Sequence, residues 1–205
     1  MERRSKNLRK KAFMSSVIAC SLLFGAMGVG AEANASTTTV KQAAKTTATK
    51  HVSKATVSKK GIMSFSKSFN KKKVINELKP EAAKLIKVYA DTLKTGKTNS
   101  FYTYVDKHVI DSSIFKGSRK NTKNSYKISI KNTKRYSTKK KTIDFANGLK
   151  KVKTSKLKME QSYSKGYSAN FSYEYKPAGF YNGVKVSFMF IQSNGKYVLT
   201  AVHFY

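Results

Sequence analysis

The pair Asn194-Gly195, set between two apolar β-type runs, constrains this chain more than any other feature. A type I′ turn needs positive φ at both central residues, and Asn-Gly adopts that conformation most readily. The turn sets the register of a closing hairpin over residues 182–205: Ser193 opposite Lys196, Ile191 opposite Val198, Phe190 opposite Leu199. Cross-strand partners share a face. Regular pairing therefore groups the even positions 184–190 with the odd positions 197–205, including His203, as a core face. The odd positions 185–191 and even positions 198–204 form the second face, which is more apolar than a solvated surface should be. It is expected to be covered by other parts of the chain or by a second copy, giving a homodimer through Met189, Ile191, Val202 and Phe204.

Upstream, the pattern has helical period first and strand period later. Ser68 and Asn70 are N-cap candidates before Val74, Ile75 and Leu78, and Pro80 suits a first turn or a kink. Ala82, Leu85, Ile86, Tyr89 and Leu93 recur on one face of a helix, and Gly96 suits its C-terminal stop. A second helix places Phe101, Tyr104, Val105, His108 and Val109 on one face. From Asn124 the spacing reads as period two: Tyr126, Ile128 and Ile130, then Ile143 and Phe145 around Asp144, with Asn147-Gly148 as a turn. Leu157 to Tyr163 and Tyr167 to Tyr175 alternate in the same way around Lys165-Gly166. The expected architecture is α+β: N-terminal helices packed on a curved antiparallel sheet of about five or six strands.

Residues 1–35 carry the three parts of a secretory leader: basic residues to Lys11, an apolar run to Gly30, and Ala33 and Ala35 at the cleavage spacing. Cleavage is expected near Ala35. An uncut anchor is disfavoured by Gly25, Gly28 and Gly30. A lipoprotein anchored at Cys20 is disfavoured because the apolar run continues through Leu22, Leu23 and Phe24. Cys20 is the single cysteine, so neither a disulfide framework nor a cysteine metal site is available. Residues 36–65 read as a disordered Lys/Thr-rich tether, and 66–205 as the folded domain. The expected location is extracellular and wall-associated.

The domain resembles the NTF2-like (cystatin-like α+β) superfamily. The matching features are a long helix ending Asp91-Thr92-Leu93-Lys94-Thr95-Gly96-Lys97, the helix over 101–109, and the closing sheet. Asn194-Gly195-Lys196-Tyr197-Val198-Leu199 is similar to the Gly-Lys-Trp-Lys-Ile end of many such domains, with Tyr197 in place of Trp. The resemblance implies a conical cavity between sheet and helices, and frequent dimerisation through the sheet. It does not imply one activity, because the fold hosts enzymes and non-catalytic binding domains alike.

Within such a cone His108 and His203 are the candidates for acid–base chemistry or small-molecule binding. Neither has a visible orienting partner. Asp144, Glu160 and Glu174 alternate away from apolar neighbours and are expected to face solvent. No paired carboxylates, nucleophile motif, phosphate-cradling loop or metal-ligand cluster stands out, so no cofactor or metal is expected.

The charge carries more information. Lys and Arg number 42 against 10 acids, a formal net charge of +32. Candidate polyanion contacts are Lys71, Lys72, Lys73, Arg119, Lys120, Lys139, Lys140, Lys141, Lys150 and Lys151. Beyond residue 35 the only arginines are Arg119 and Arg135. Lysine is a hydrated point charge, whereas arginine supplies the planar fork that reads bases. The expected partners are therefore anionic envelope polymers held by diffuse attraction, not a specific nucleic-acid sequence.

Overall fold

The structure, a computed structural model, describes residues 57–205 apart from the side chains of 161–165. The expected leader and most of the expected tether lie outside these residues. Nine regular elements follow: β1 (Ser64–Ser66), α1 (Lys71–Thr95), α2 (Asn99–His108), α3 (Ser118–Arg135), α4 (Lys139–Lys150), β2 (Lys158–Lys165), β3 (Ser168–Tyr175), β4 (Val184–Ser193) and β5 (Lys196–Phe204), with a short 3-10 turn before β2. The strands form one antiparallel sheet in the order β1-β5-β4-β3-β2. Four helices pack against this curled half-barrel.

Helix α1 begins where Asn70 Oδ1 accepts from the Lys73 N–H at 3.0 Å. It ends at Gly96, whose N–H still donates to the Thr92 carbonyl at 2.8 Å and whose φ of 75° then turns the chain out of the helix. Pro80 lies inside the helix. The buried stripe Val74, Leu78, Ala82, Leu85, Ile86, Tyr89 and Leu93 covers the sheet, and Tyr173 Oη donates to the Ile75 carbonyl at 2.7 Å.

Two segments read as strands are helices. In α3 the buried residues are Thr122, Tyr126 and Ile130, spaced four apart, while Ile128 is 59% exposed. Its adjoining stripe is hydroxylic: Ser125 bonds His203, and Ser129 and Thr133 share the Tyr89 phenol at 3.0 and 2.7 Å. A helix anchored by one tyrosine and a row of hydroxyls carries little apolar period. In α4, Thr142, Ala146 and Leu149 are buried. Gly148 sits in that helix rather than in a turn, and a Cβ there would stand 2.7 Å from Pro177 Cβ. The glycine permits close approach of α4 to the β3–β4 loop.

The chain joins the core ahead of Ser66. Val57, Met63 and Phe65 are buried, and β1 pairs with the edge of β5.

The closing hairpin forms as the turn dictates. Asn194 and Gly195 have φ of 47° and 73°, and Ser193, Ile191 and Phe190 meet Lys196, Val198 and Leu199. Beyond Leu199 the pairing departs from regularity. Met189 pairs with Ala201, Phe188 with Val202, Ser187 with His203, and Val186 with Phe204. The extra residue is Thr200, whose hydroxyl donates to the Met189 carbonyl at 3.1 Å. One bulged residue inverts every later side chain, because strand period is two. Val202 and Phe204 therefore join the core at 0% and 4% exposure, and Ala201 and His203 take the outer face.

Candidate functional site

The interior of the half-barrel is filled. Phe65 meets Phe69, Phe171, Phe190 and Tyr197 with ring centroids 4.7 to 6.0 Å apart. Farther along, Phe101 stacks on Tyr126 at 3.9 Å, and both meet Phe204 edge-on. These contacts fill the half-barrel around Phe65 and around Phe204.

The two histidines do not converge. His108 is buried on α2, its Nδ1–H donating to the Gly61 carbonyl at 2.9 Å and its ring 4.6 Å from Tyr104. His203 lies on the outer face of β5, where Nδ1 hydrogen-bonds Ser125 Oγ at 3.0 Å. The Thr200 bulge is the reason: regular pairing would have set His203 opposite Val186 on the core face, and the shifted register sets it opposite Ser187. Burial holds both histidines below their ordinary pKa, and for His108 the Gly61 hydrogen bond and Glu81 oppose the shift. A neutral imidazole is thus preferred in the fold. The unfolded chain takes up protons first as pH drops below about 6.5, so stability is full above that value and declines until the folded groups titrate. We expect the melting temperature to fall between pH 7 and pH 5, and the His108→Gln/His203→Gln double variant to show a flatter profile. A double variant with an unchanged slope would exclude these two groups as its source.

The homodimer face is likewise altered. Of Met189, Ile191, Val202 and Phe204, only Met189 and Ile191 lie on the outer face. Behind them Ser187 Oγ donates to Asn170 Oδ1 at 2.6 Å and accepts from Ser172 Oγ at 2.9 Å, a short polar ladder across the outer face.

The candidate basic residues divide by surroundings. Arg119 is structural, its Nε–H donating to the Val109 carbonyl at 2.8 Å. Lys73 faces Glu77 at 3.9 Å, and Lys150 pairs with Asp91. Lys72, Lys120, Lys139, Lys140, Lys141 and Lys151 are exposed. The trios 71–73 and 139–141 occupy the first turns of α1 and α4, where no acid is present. Both trios stand at the positive end of a helix dipole, an unfavourable place for cations. Asp91 meets Lys150 and Lys94 meets Asn147, so α4 runs antiparallel to α1 and the trios fall at opposite ends of the helical layer. Between them Lys84, Lys87 and Lys153 line a groove of about 580 Å³.

Sequence reasoning missed a second depression, about 940 Å³, between the α3–α4 connection and the β3–β4 loop. Tyr136, Tyr181 and Tyr205 stand around it, with Glu160 and Glu174 in its wall. Its residues come from five separate places in the chain, so no local motif could announce it. Glu160 is the unpaired residue of a bulge in β2, between Met159 and Gln161.

Among the described residues, no group of three or more His, Cys, Asp or Glu could hold a metal, and no helix is long and apolar enough to cross a membrane. No protein-family model matches the chain, and no curated protein matches it in sequence.

Proposed function

We propose that this chain is an exported, non-enzymatic binding domain of NTF2-like plan, retained at the cell envelope by anionic polymers on its lysine surface. The observation that carries this reading is the pair of lysine trios at the N-terminal turns of α1 and α4, without a first-turn acid. Each trio adds side-chain charge to the partial positive charge of the helix end, which a phosphate or carboxylate polymer would neutralise. The spread of cations along the helical layer suits a long flexible polymer more than a compact ligand. Lysine in place of arginine suits contacts that tolerate many geometries.

Charge reversal at the α4 end tests this. In the variant Lys139→Glu/Lys140→Glu/Lys141→Glu, stability and binding should move in opposite directions. Each glutamate at the helix N-terminus should stabilise by about 0.3–1 kcal/mol. Elution from immobilised teichoic acid or duplex DNA should shift to lower salt, and the dependence of log K on log salt should flatten by about 0.9 for each lost DNA phosphate contact. Wild-type protein that flows through both matrices at low ionic strength would refute the reading.

A further inference from the structure

We propose that the cleft between the α3–α4 connection and the β3–β4 loop binds a neutral oligosaccharide, next to the lysine trio 139–141, of which Lys141 lines it. Its volume of about 940 Å³ lies within the size range of ligand pockets. Three tyrosines at its mouth are unusually open to water: Tyr136 at 81%, Tyr181 at 91% and Tyr205 at 67%. Large side chains cost apolar exposure, and their gathering around one cleft marks a contact surface. A tyrosine offers a flat apolar face and a hydroxyl, the complement of a pyranose ring with its C–H face and hydroxyl edge.

Each ring has a cation near its face. Arg135 lies over Tyr136 at 5.7 Å, Lys176 over Tyr181 at 5.3 Å, and Lys185 over Tyr205 at 5.2 Å. Each cation covers part of a ring and leaves the rest to a ligand.

Charge decides the class of ligand. The charged residues lining the cleft are Lys141 and Lys185 against Glu160 and Glu174. With Arg135 and Lys176 over the rim rings that makes four cations against two acids, a share of acid about twice that of a chain with 42 cations and 10 acids. A polyanion would meet two carboxylates here, whereas hydroxyl groups would donate to them. Neither glutamate is engaged by a hydrogen bond or ion pair with a described residue. Glu174 lies close to the loop: a Cβ on Gly183 would stand 3.1 Å from its Oε1 and 2.8 Å from the Tyr175 carbonyl. The loop backbone thus lies directly against this carboxylate.

The test is calorimetric titration of the full chain with hexasaccharides of glucose, mannose and N-acetylglucosamine, at low and high sodium chloride. Binding of at least one sugar that persists at high salt is expected. Tyr181→Ala and Tyr136→Ala should each weaken it about tenfold or more, the scale of a lost aromatic anchor, while leaving elution from teichoic acid unchanged. Three results would overturn the proposal: no heat with any of the three sugars, sugar binding unaltered in both folded variants, or loss of polyanion retention in the tyrosine variants. Sedimentation showing a dimer that Tyr181→Ala dissolves would assign the cleft to a second copy and overturn it as well.

Discussion

Val202→Asp is expected to abolish the cooperative unfolding transition, while Ala201→Asp, one residue away, leaves a folded protein. Val202 is wholly enclosed beside Phe188, under the helices. An ionised carboxylate there has no described cation or donor, and such burial costs several kcal/mol even after relaxation. Total stabilities of about 5–15 kcal/mol leave little after such a loss. Ala201 pairs with Met189 on the outer face, where a carboxylate keeps contact with water and the cost stays near 1 kcal/mol. Regular hairpin pairing would exchange the two outcomes. Circular dichroism melts of the two variants therefore read the Thr200 bulge directly.

Tyr126→Ala should cost about 3–5 kcal/mol, the range for removing a buried aromatic side chain. At about 2–4 °C per kcal/mol for a domain of this size, the melting temperature should fall by roughly 6–20 °C. The ring stacks on Phe101, meets Tyr89 and Phe204 edge-on, and its hydroxyl donates to Thr92 Oγ1 at 2.8 Å. One side chain thus joins α3 to α1, α2 and β5. Tyr126→Phe keeps the ring and should lose only about 1 kcal/mol with the hydrogen bond. Ile128→Ala should be silent within about 0.5 kcal/mol, because that side chain is largely in water. A strand over these residues would set Tyr126 and Ile128 on one face, and both changes would then be costly. Thermal melts of the three variants distinguish the two conformations.

The features legible in the sequence were those whose signal is local. Asn194-Gly195 demands positive φ whatever surrounds it, and the register next to the turn followed. Asn70 brackets α1 through its side-chain Oδ1 and Gly96 through its backbone N–H, each within one helical turn. The stripe from Ala82 to Leu93 is apolar enough to be seen without its partner. Helix α3 gave no such signal, since Ser125, Ser129 and Thr133 are polar by type and become packing residues only where His203 and Tyr89 meet them. Ile128, apolar but outside, completed a false alternation with Tyr126 and Ile130.

The same distinction governs the sites. Charge, apolar period and the Asn194-Gly195 turn together required a strongly basic molecule with helices before a meandering sheet, and with a close-paired final hairpin. Tertiary structure decided which way that hairpin faces. One residue at Thr200 moved Val202 and Phe204 inward and His203 outward, and so separated the two histidines. Packing of distant segments gathered Tyr136, Tyr181 and Tyr205 around a single cleft. Strand parity is a running property that one unpaired residue resets, and a cleft built from distant segments exists only once packing brings them together.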